Sequence, residues 1–470
     1  MELPHRDHSI LPQTIGVLVA AILLLLWQAA NLSPVGMLLL GLLTLSYLNY
    51  VVGGRDVLYP AFTFAAIWAA VTVVYIFCPV EIRLLGWKTV GILVGGVTSF
   101  SIGCLLGNRR LFRMRNADRR NEFLDSWDNP QARLLLLGYT VLTIPIVIFD
   151  VQQIVGEHIS LSPAFFIRLR ATINDLYLTD PGTSPYGGWL MNRLVTTSFI
   201  ISVLTFLLFV MKEKRKWANV ICVLCLIILS LLFTGRTFLM QAFCGSLCLV
   251  LLRRKNRHFT RIALPIGMAG FGLILLMTAI TFLTKAETQG SNGLQVATDM
   301  AFEYIAGPIA GFDYAVNHPA EFQDQPATVF AGILTPLSRL ELIRYKPPNA
   351  SDYFVFVPFP TNVYTCFKPY YEDFGMVGCF LAFAIFGLVE GRLFHAAVRG
   401  GQIAAFFLAY LSDPLMFSTF DDHYRYVMGY IYLGLYILVY FYCLKRVRIC
   451  MNRSSAVPIA DLHVQELRAR

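Results

Sequence analysis

Charge is what this sequence has least of. Asp, Glu, Lys and Arg make up only 14% of its 470 residues, against 56% hydrophobic residues and a mean hydropathy of +0.61. Soluble domains carry about 25% charged residues, so a water-soluble fold is excluded. Missing motifs exclude more. There is no P-loop, no paired-aspartate nucleotide-sugar motif with a cytoplasmic domain to carry it, and no histidine-rich metal cluster. The energy for any group transfer must therefore arrive within the substrate, and neither a cofactor nor a metal is expected. The DFG at 373–375 stands without the other kinase motifs, and GMAGFG at 267–272 lies inside an apolar run, where it reads as helix packing. No internal repeat pairs two halves of the chain as in many transporters. The net charge of +9 comes without a basic tail interleaved with aromatics, which argues against nucleic acid as a partner. Of ten cysteines, Cys104, Cys222, Cys225, Cys244, Cys248, Cys379 and Cys443 fall in apolar runs, where they serve as small packers. The Cys222/Cys225 spacing lacks a partner pair for zinc, and no disulfide framework is expected.

What is present is a series of long apolar runs. Twelve are bounded by charge, Gly or Pro: 11–30, 34–52, 57–78, 89–107, 133–155, 193–211, 217–234, 237–252, 262–283, 375–394, 402–418 and 426–444. Each is long enough to cross or nearly cross a hydrocarbon core at about 1.5 Å per residue. The expected fold is all-α, a single polytopic membrane domain over 1–470 with about twelve transmembrane helices, its first helix retained rather than cleaved.

The cations orient it. With the N-terminus in the cytoplasm, RRLFRMRNADRR (109–120), KEKRK (212–216), RRKNRHFTR (253–261) and KRVR (445–448) all fall inside, and with them 26 of the 38 lysines and arginines. This is the positive-inside bias. Two long loops then lie outside, 156–192 and 284–374. The second contains MAFEYIAGPIAGFDYAV (300–316), which fits a helix lying in the interface or dipping into the membrane.

Four clusters offer chemistry. Arg236 interrupts an apolar run from Trp217 to Leu252 that is long enough for two spans, so Gly235-Arg236 reads as a tight external turn. Its arginine either snorkels to water or presents a fixed cation to an anionic substrate. In SPAFFIRLRAT (162–172), Arg168 and Arg170 offer two donor forks for phosphate or oligosaccharide. The stretch PTNVYTCFKPYYEDFGMVG (360–378) gathers Asn362, Tyr364, Lys368, Tyr370, Tyr371, Glu372 and Asp373, a mixture of aromatic faces and polar groups suited to sugars, or in part an aromatic belt. Near the end, FSTFDDHYRY (417–426) places Asp421, Asp422, His423 and Arg425 in a very short external turn, either a paired polar hairpin or a site for a general base. Glu303, Asp313, Arg339, Glu341 and Arg344 are further candidates in the large loop.

The order of these features resembles the oligosaccharide repeat-unit polymerases, the O-antigen polymerases of the Wzy type. RDVLYPAFTFAAIW (55–68), LLFTGRTFLMQ (231–241), the large late loop and above all TNVYTCFKPYYEDFGMVGCFLAFAIFGL (361–388) carry the resemblance. It implies a glycosyltransferase in the bacterial cytoplasmic membrane, facing the periplasm or cell exterior, that moves a growing glycan from undecaprenyl diphosphate onto another lipid-linked repeat unit. The product would be O-antigen, capsule or exopolysaccharide. The implied partners are that lipid-linked oligosaccharide, membrane lipids, a chain-length regulator and a repeat-unit flippase. Under this reading Arg236, Arg168, Arg170, Arg339 and Lys368 hold the diphosphate, Asp373, Asp421, Asp422 or His423 takes the acceptor proton, and the tyrosines place the sugars. The family's R-x10-G spacing is absent after Arg168, Arg170, Arg339 and Arg344. An O-antigen ligase using the same donor is the nearest alternative. A flippase or transporter is disfavoured because the helix interiors read as nearly free of charge.

Overall fold

A computed structural model describes residues 33–78, 85–108, 130–160, 162–179, 189–212, 216–232, 237–253, 293–322, 328–345, 355–357, 359–425 and 433–436. The helices are α1 (Pro34–Val52), α2 (Pro60–Ile76), α3 (Trp87–Asn108), α4 (Pro130–Val155), α5 (Pro163–Thr179), α6 (Trp189–Lys212), α7 (Lys216–Leu232) and α8 (Thr237–Arg253). They continue with α9 (Gly293–Asn317), α10 (Ala331–Arg339), a two-residue hairpin β1 (Val355–Phe356) and β2 (Pro360–Thr361), α11 (Phe367–Val398) and α12 (Gln402–Met416). Pro34, Pro60, Pro130 and Pro163 each open a helix, where the missing N–H costs nothing.

Among the described residues, four helical stretches are long and apolar enough to cross a membrane: Pro34–Val52, Trp87–Gly107, Arg133–Val155 and Phe367–Val398. Five shorter apolar ones, Pro60–Ile76, Thr197–Met211, Trp217–Leu232, Thr237–Arg253 and Gln402–Met416, join them. These overlap nine of the twelve expected spans. The other three, 11–30, 262–283 and 426–444, lie outside the described residues except for a helical piece at 433–436. Both expected loops contain helix. The first holds α5, whose Phe165, Phe166, Leu169 and Ile173 pack on Val147 and Val151 of α4. The second holds α9, which is buried through Ala306, Ile309, Phe312 and Val316 rather than lying on a surface.

The tightest joint is between α3 and α11. Gly103 and Gly107 face Gly387 and Gly391 at small-xxx-small spacing, which lets the two backbones approach. A Cβ at Gly387 would lie 2.0 Å from the Phe100 carbonyl oxygen, and one at Gly103 equally close to that of Ala384. Gly387→Val is therefore expected to force the pair apart, costing at least the ~1–3 kcal/mol of an overpacked core, with a lower unfolding temperature in detergent as the readout. Alongside this joint Asn49 of α1 donates to the Ala61 carbonyl and to Ser101 Oγ, tying α1, α2 and α3 together without charge. A second packed region joins α8 to α6 and α12, where Gly245 sits against Leu207 and the Ala409 carbonyl.

Candidate functional site

The site begins with a glycine. Gly375 adopts φ 67° and ψ −171°, a conformation reserved for residues without a side chain, and α11 reverses direction there. Phe367 and Phe383 would stand about 24 Å apart along a straight helix. Their ring centroids are 4.3 Å apart. Residues 367–374 thus fold back along the later part of α11, and the long apolar span proper starts after Gly375. Phe367 packs on Gly96 and beside Trp68, about 14 Å along α3 from its Trp87 end. The segment 361–374 consequently descends to the middle of the bundle. Irregular backbone at such depth is tolerated where protein surrounds it.

The turn 417–425 meets it there. The Cys366 N–H donates to the Ser418 carbonyl at 2.8 Å, and the Tyr370 hydroxyl lies 3.4 Å from Asp422 Oδ1. Tyr424 stacks on Phe386, its ring centroid 4.5 Å away, and donates its hydroxyl to Glu390 Oε1 at 2.7 Å. The turn read from the sequence as external is buried against α11, because α12 ends at Met416 and its aromatic residues find their packing inside the bundle. Two segments separated by about fifty residues form one cluster.

His423 is held hardest. Its Nδ1 lies 2.7 Å from Asp413 Oδ2 and its Nε2 3.9 Å from Asp421 Oδ2. An ionised carboxylate only accepts, so Nδ1 carries the proton toward Asp413 and leaves Nε2 as the basic nitrogen. Burial pulls the imidazole pKa down, but Asp413, with Asp421 and Asp422, outweighs it and holds the value above the ordinary one. A histidine pKa raised on folding stabilises the fold fully below about pH 6.5, and that contribution fades as pH rises through the folded value. Around this pair Thr365 Oγ1, Ser418 Oγ and Asp413 Oδ1 are buried without a hydrogen-bond partner among the described residues. Each such group costs about 1–3 kcal/mol unless something polar meets it. Chemically, the cluster suits a polar ligand with a proton to give.

Lys368, only 2% exposed, lies on the same folded-back segment. Its Nζ sits 3.2 Å from Glu372 Oε2 and over the Tyr364 ring at 4.3 Å from the centroid. Tyr370 is buried, Tyr371 is half-buried edge-on to Phe312, and Asn362 is half-buried in the descending loop. Asp373 has a different engagement. Its carboxylate accepts from the backbone N–H groups of Thr328 (2.9 Å) and Val329 (2.8 Å), fastening the start of α10 to the Gly375 reversal. Asp313 likewise accepts from the Gly86 N–H and Thr89 Oγ1, joining α9 to the start of α3.

Arg168 lies elsewhere, in an exposed ion pair with Glu157 at 2.8 Å on α5, and Arg170 is half-buried one turn-face away. Arg339 closes α10 and Arg425 ends the short 3-10 turn His423–Arg425, with their side chains outside the described residues. Arg236 and Gly235 also lie outside them. Two residues central to the cluster, Asp413 and Glu390, escaped the sequence reading. An ionisable residue inside an apolar run is itself a functional signal, and both carried it. Their burial, with that of Asp150 in α4, also corrects the expectation of nearly charge-free helix interiors.

The fold defines a polytopic α-helical membrane protein with broken helices meeting inside the bundle. The chain is 24% identical over 219 residues to an O-antigen polymerase of Shigella dysenteriae, a match covering 45% of this chain and 53% of that protein. It thus spans about half the length of that relative. No family profile matches the chain, and no solved structure does.

Proposed function

We propose that the chain is a membrane glycosyltransferase that polymerises undecaprenyl-diphosphate-linked oligosaccharide repeat units into a surface polysaccharide. The observation that carries the reading is the buried His423–Asp413 pair, on a turn that the fold joins to the segment carrying Tyr364, Lys368 and Tyr370, with the Tyr370 hydroxyl 3.4 Å from Asp422 Oδ1. The similarity to an O-antigen polymerase supports it independently. His423 Nε2 takes the proton from the acceptor hydroxyl as that oxygen bonds to the anomeric carbon. The bond from that carbon to the diphosphate oxygen breaks, and undecaprenyl diphosphate leaves as the anion. Asp413 positions the imidazole, and Asp421 faces the imidazolium once formed. Lys368, Arg236, Arg168, Arg170, Arg339 and Arg425 supply cations for the diphosphate along its path, since fixed positive charge counts most where charge develops. The tyrosines and Asn362 place the sugars.

In this reading the Trp87 end of α3 faces outward from the bacterial cytoplasmic membrane, and a flippase and a chain-length regulator act before and beside the enzyme. Deleting the protein is expected to leave single repeat units on the acceptor lipid by gel profiling of surface glycans. Full-length polymer stranded on undecaprenyl diphosphate would indicate a ligase and overturn the proposal. Arg236→Ala is expected to abolish long chains while the protein stays in the membrane, and near-normal chain length removes Arg236 from the site.

A further inference from the structure

We infer that α10 is an interfacial anchor that lies among the acyl chains of the leaflet at the Trp87 end of the bundle, so that the large loop is tied to lipid as well as to protein. The starting point is the outer face of α11. After Gly375 it presents Val377, Leu381, Ile385 and Val389 at four-residue spacing, 68%, 61%, 58% and 45% exposed. A stripe of that kind on a helix long enough to span the bilayer is a lipid-facing surface. At its upper end Phe374, also exposed, meets Phe330 with ring centroids 5.9 Å apart, and the Asp373 carboxylate pins the 328–329 backbone beside it.

From that fixed point the segment 330–342, which is α10 with the residues just before and after it, continues the apolar surface. Phe330, Ile333, Leu340 and Leu342 are 49%, 42%, 67% and 68% exposed. In water, such a cluster in one short stretch would be an uncompensated apolar patch. Contiguity with the α11 stripe names its occupant, because the lipid that covers Val377 reaches Phe374 and Phe330 without a break. Exposed Glu341 and Arg344 flank Leu342, as expected for a segment whose apolar side chains enter the hydrocarbon while charges stay with the head groups. The sequence pointed to 300–316 as a helix lying in the interface or dipping into the membrane. That stretch lies in α9 and is largely buried in protein, whereas α10, nine residues long, is too short to stand out by hydropathy.

The test uses the full chain in nanodiscs of bacterial phospholipid, one copy per disc, with a dansyl amino acid incorporated in place of Ile333 or Leu342. The fluorophore at Val377 and the free amino acid in buffer set the two limits. Emission near the Val377 limit, quenched severalfold by lipids bearing a nitroxide high on the acyl chain, is the expected result. Emission at the buffer limit with no nitroxide quenching overturns the inference. So does blue-shifted emission that nitroxide lipids leave unchanged, which would mean protein rather than lipid covers the patch. Neither outcome depends on the catalytic reading.

Discussion

Replacing His423 with alanine is expected to slow chain elongation by about 10²- to 10⁴-fold, the usual worth of a positioned proton acceptor, with the protein still folded and in the membrane. The imidazole holds one carboxylate on Nδ1 at 2.7 Å and has a second 3.9 Å from Nε2. Because neighbouring carboxylates hold its pKa above the ordinary value, the neutral, basic form is favoured only toward higher pH. The elongation rate should therefore rise with pH along an acidic limb set by His423. Asp413→Asn removes the larger charge that sustains the shift, so that limb should move to lower pH while the maximal rate falls. A limb that stays in place in Asp413→Asn, measured with a lipid-linked repeat unit in nanodiscs, would show that His423 is not the titrating base. Merely structural damage from the substitution lowers the rate without moving the limb.

Lys368→Met is expected to destabilise the protein by up to about 3–5 kcal/mol, the cost of breaking a buried ion pair from one side. The ammonium group is nearly inaccessible and faces Glu372 at 3.2 Å on the following turn of the folded-back helix, over the Tyr364 ring. Its loss leaves the Glu372 carboxylate without that partner at low local dielectric. Adding Glu372→Gln should restore part of the unfolding temperature, because the stranded charge is removed. Elongation should not recover in the double variant if Lys368 also meets the donor diphosphate. Recovery of both would assign Lys368 a purely structural role.

The buried acids bear on the choice between enzyme and transporter. Glu390 and Asp413 sit within helices, yet each bonds to the inward-folded turn, Glu390 through Tyr424 and Asp413 through His423. They brace a loop that has entered the bundle, and do not form a ladder of ionisable groups along one helix. The same turn carries Asp421 and Asp422: the Asp422 N–H donates to Asp421 Oδ1 at 2.7 Å, and Asp422 Oδ1 accepts from the Tyr424 N–H at 3.1 Å. A pair that reads in the sequence as a paired polar hairpin or a site for a general base is thus partly spent on holding the turn's shape.

Hydropathy and the placement of cations by themselves determined that this is an all-helical, multi-pass membrane chain, and nine apolar helices stand where the runs fall. Those properties depend on each residue's own transfer energy and its neighbours within a helix length, so they are legible locally. The segments 361–374 and 417–425 were also legible as places dense in chemistry. What only the tertiary structure decided is that they touch, and how deep. Tyr370 and Asp422 are brought together by the reversal at Gly375 and by the early end of α12, and nothing in either segment's composition encodes that meeting. Depth was not legible for the same reason: a polar turn normally belongs in water, and it packs into the bundle here because Tyr424, Phe386 and Glu390 supply packing and a hydrogen bond that offset its burial.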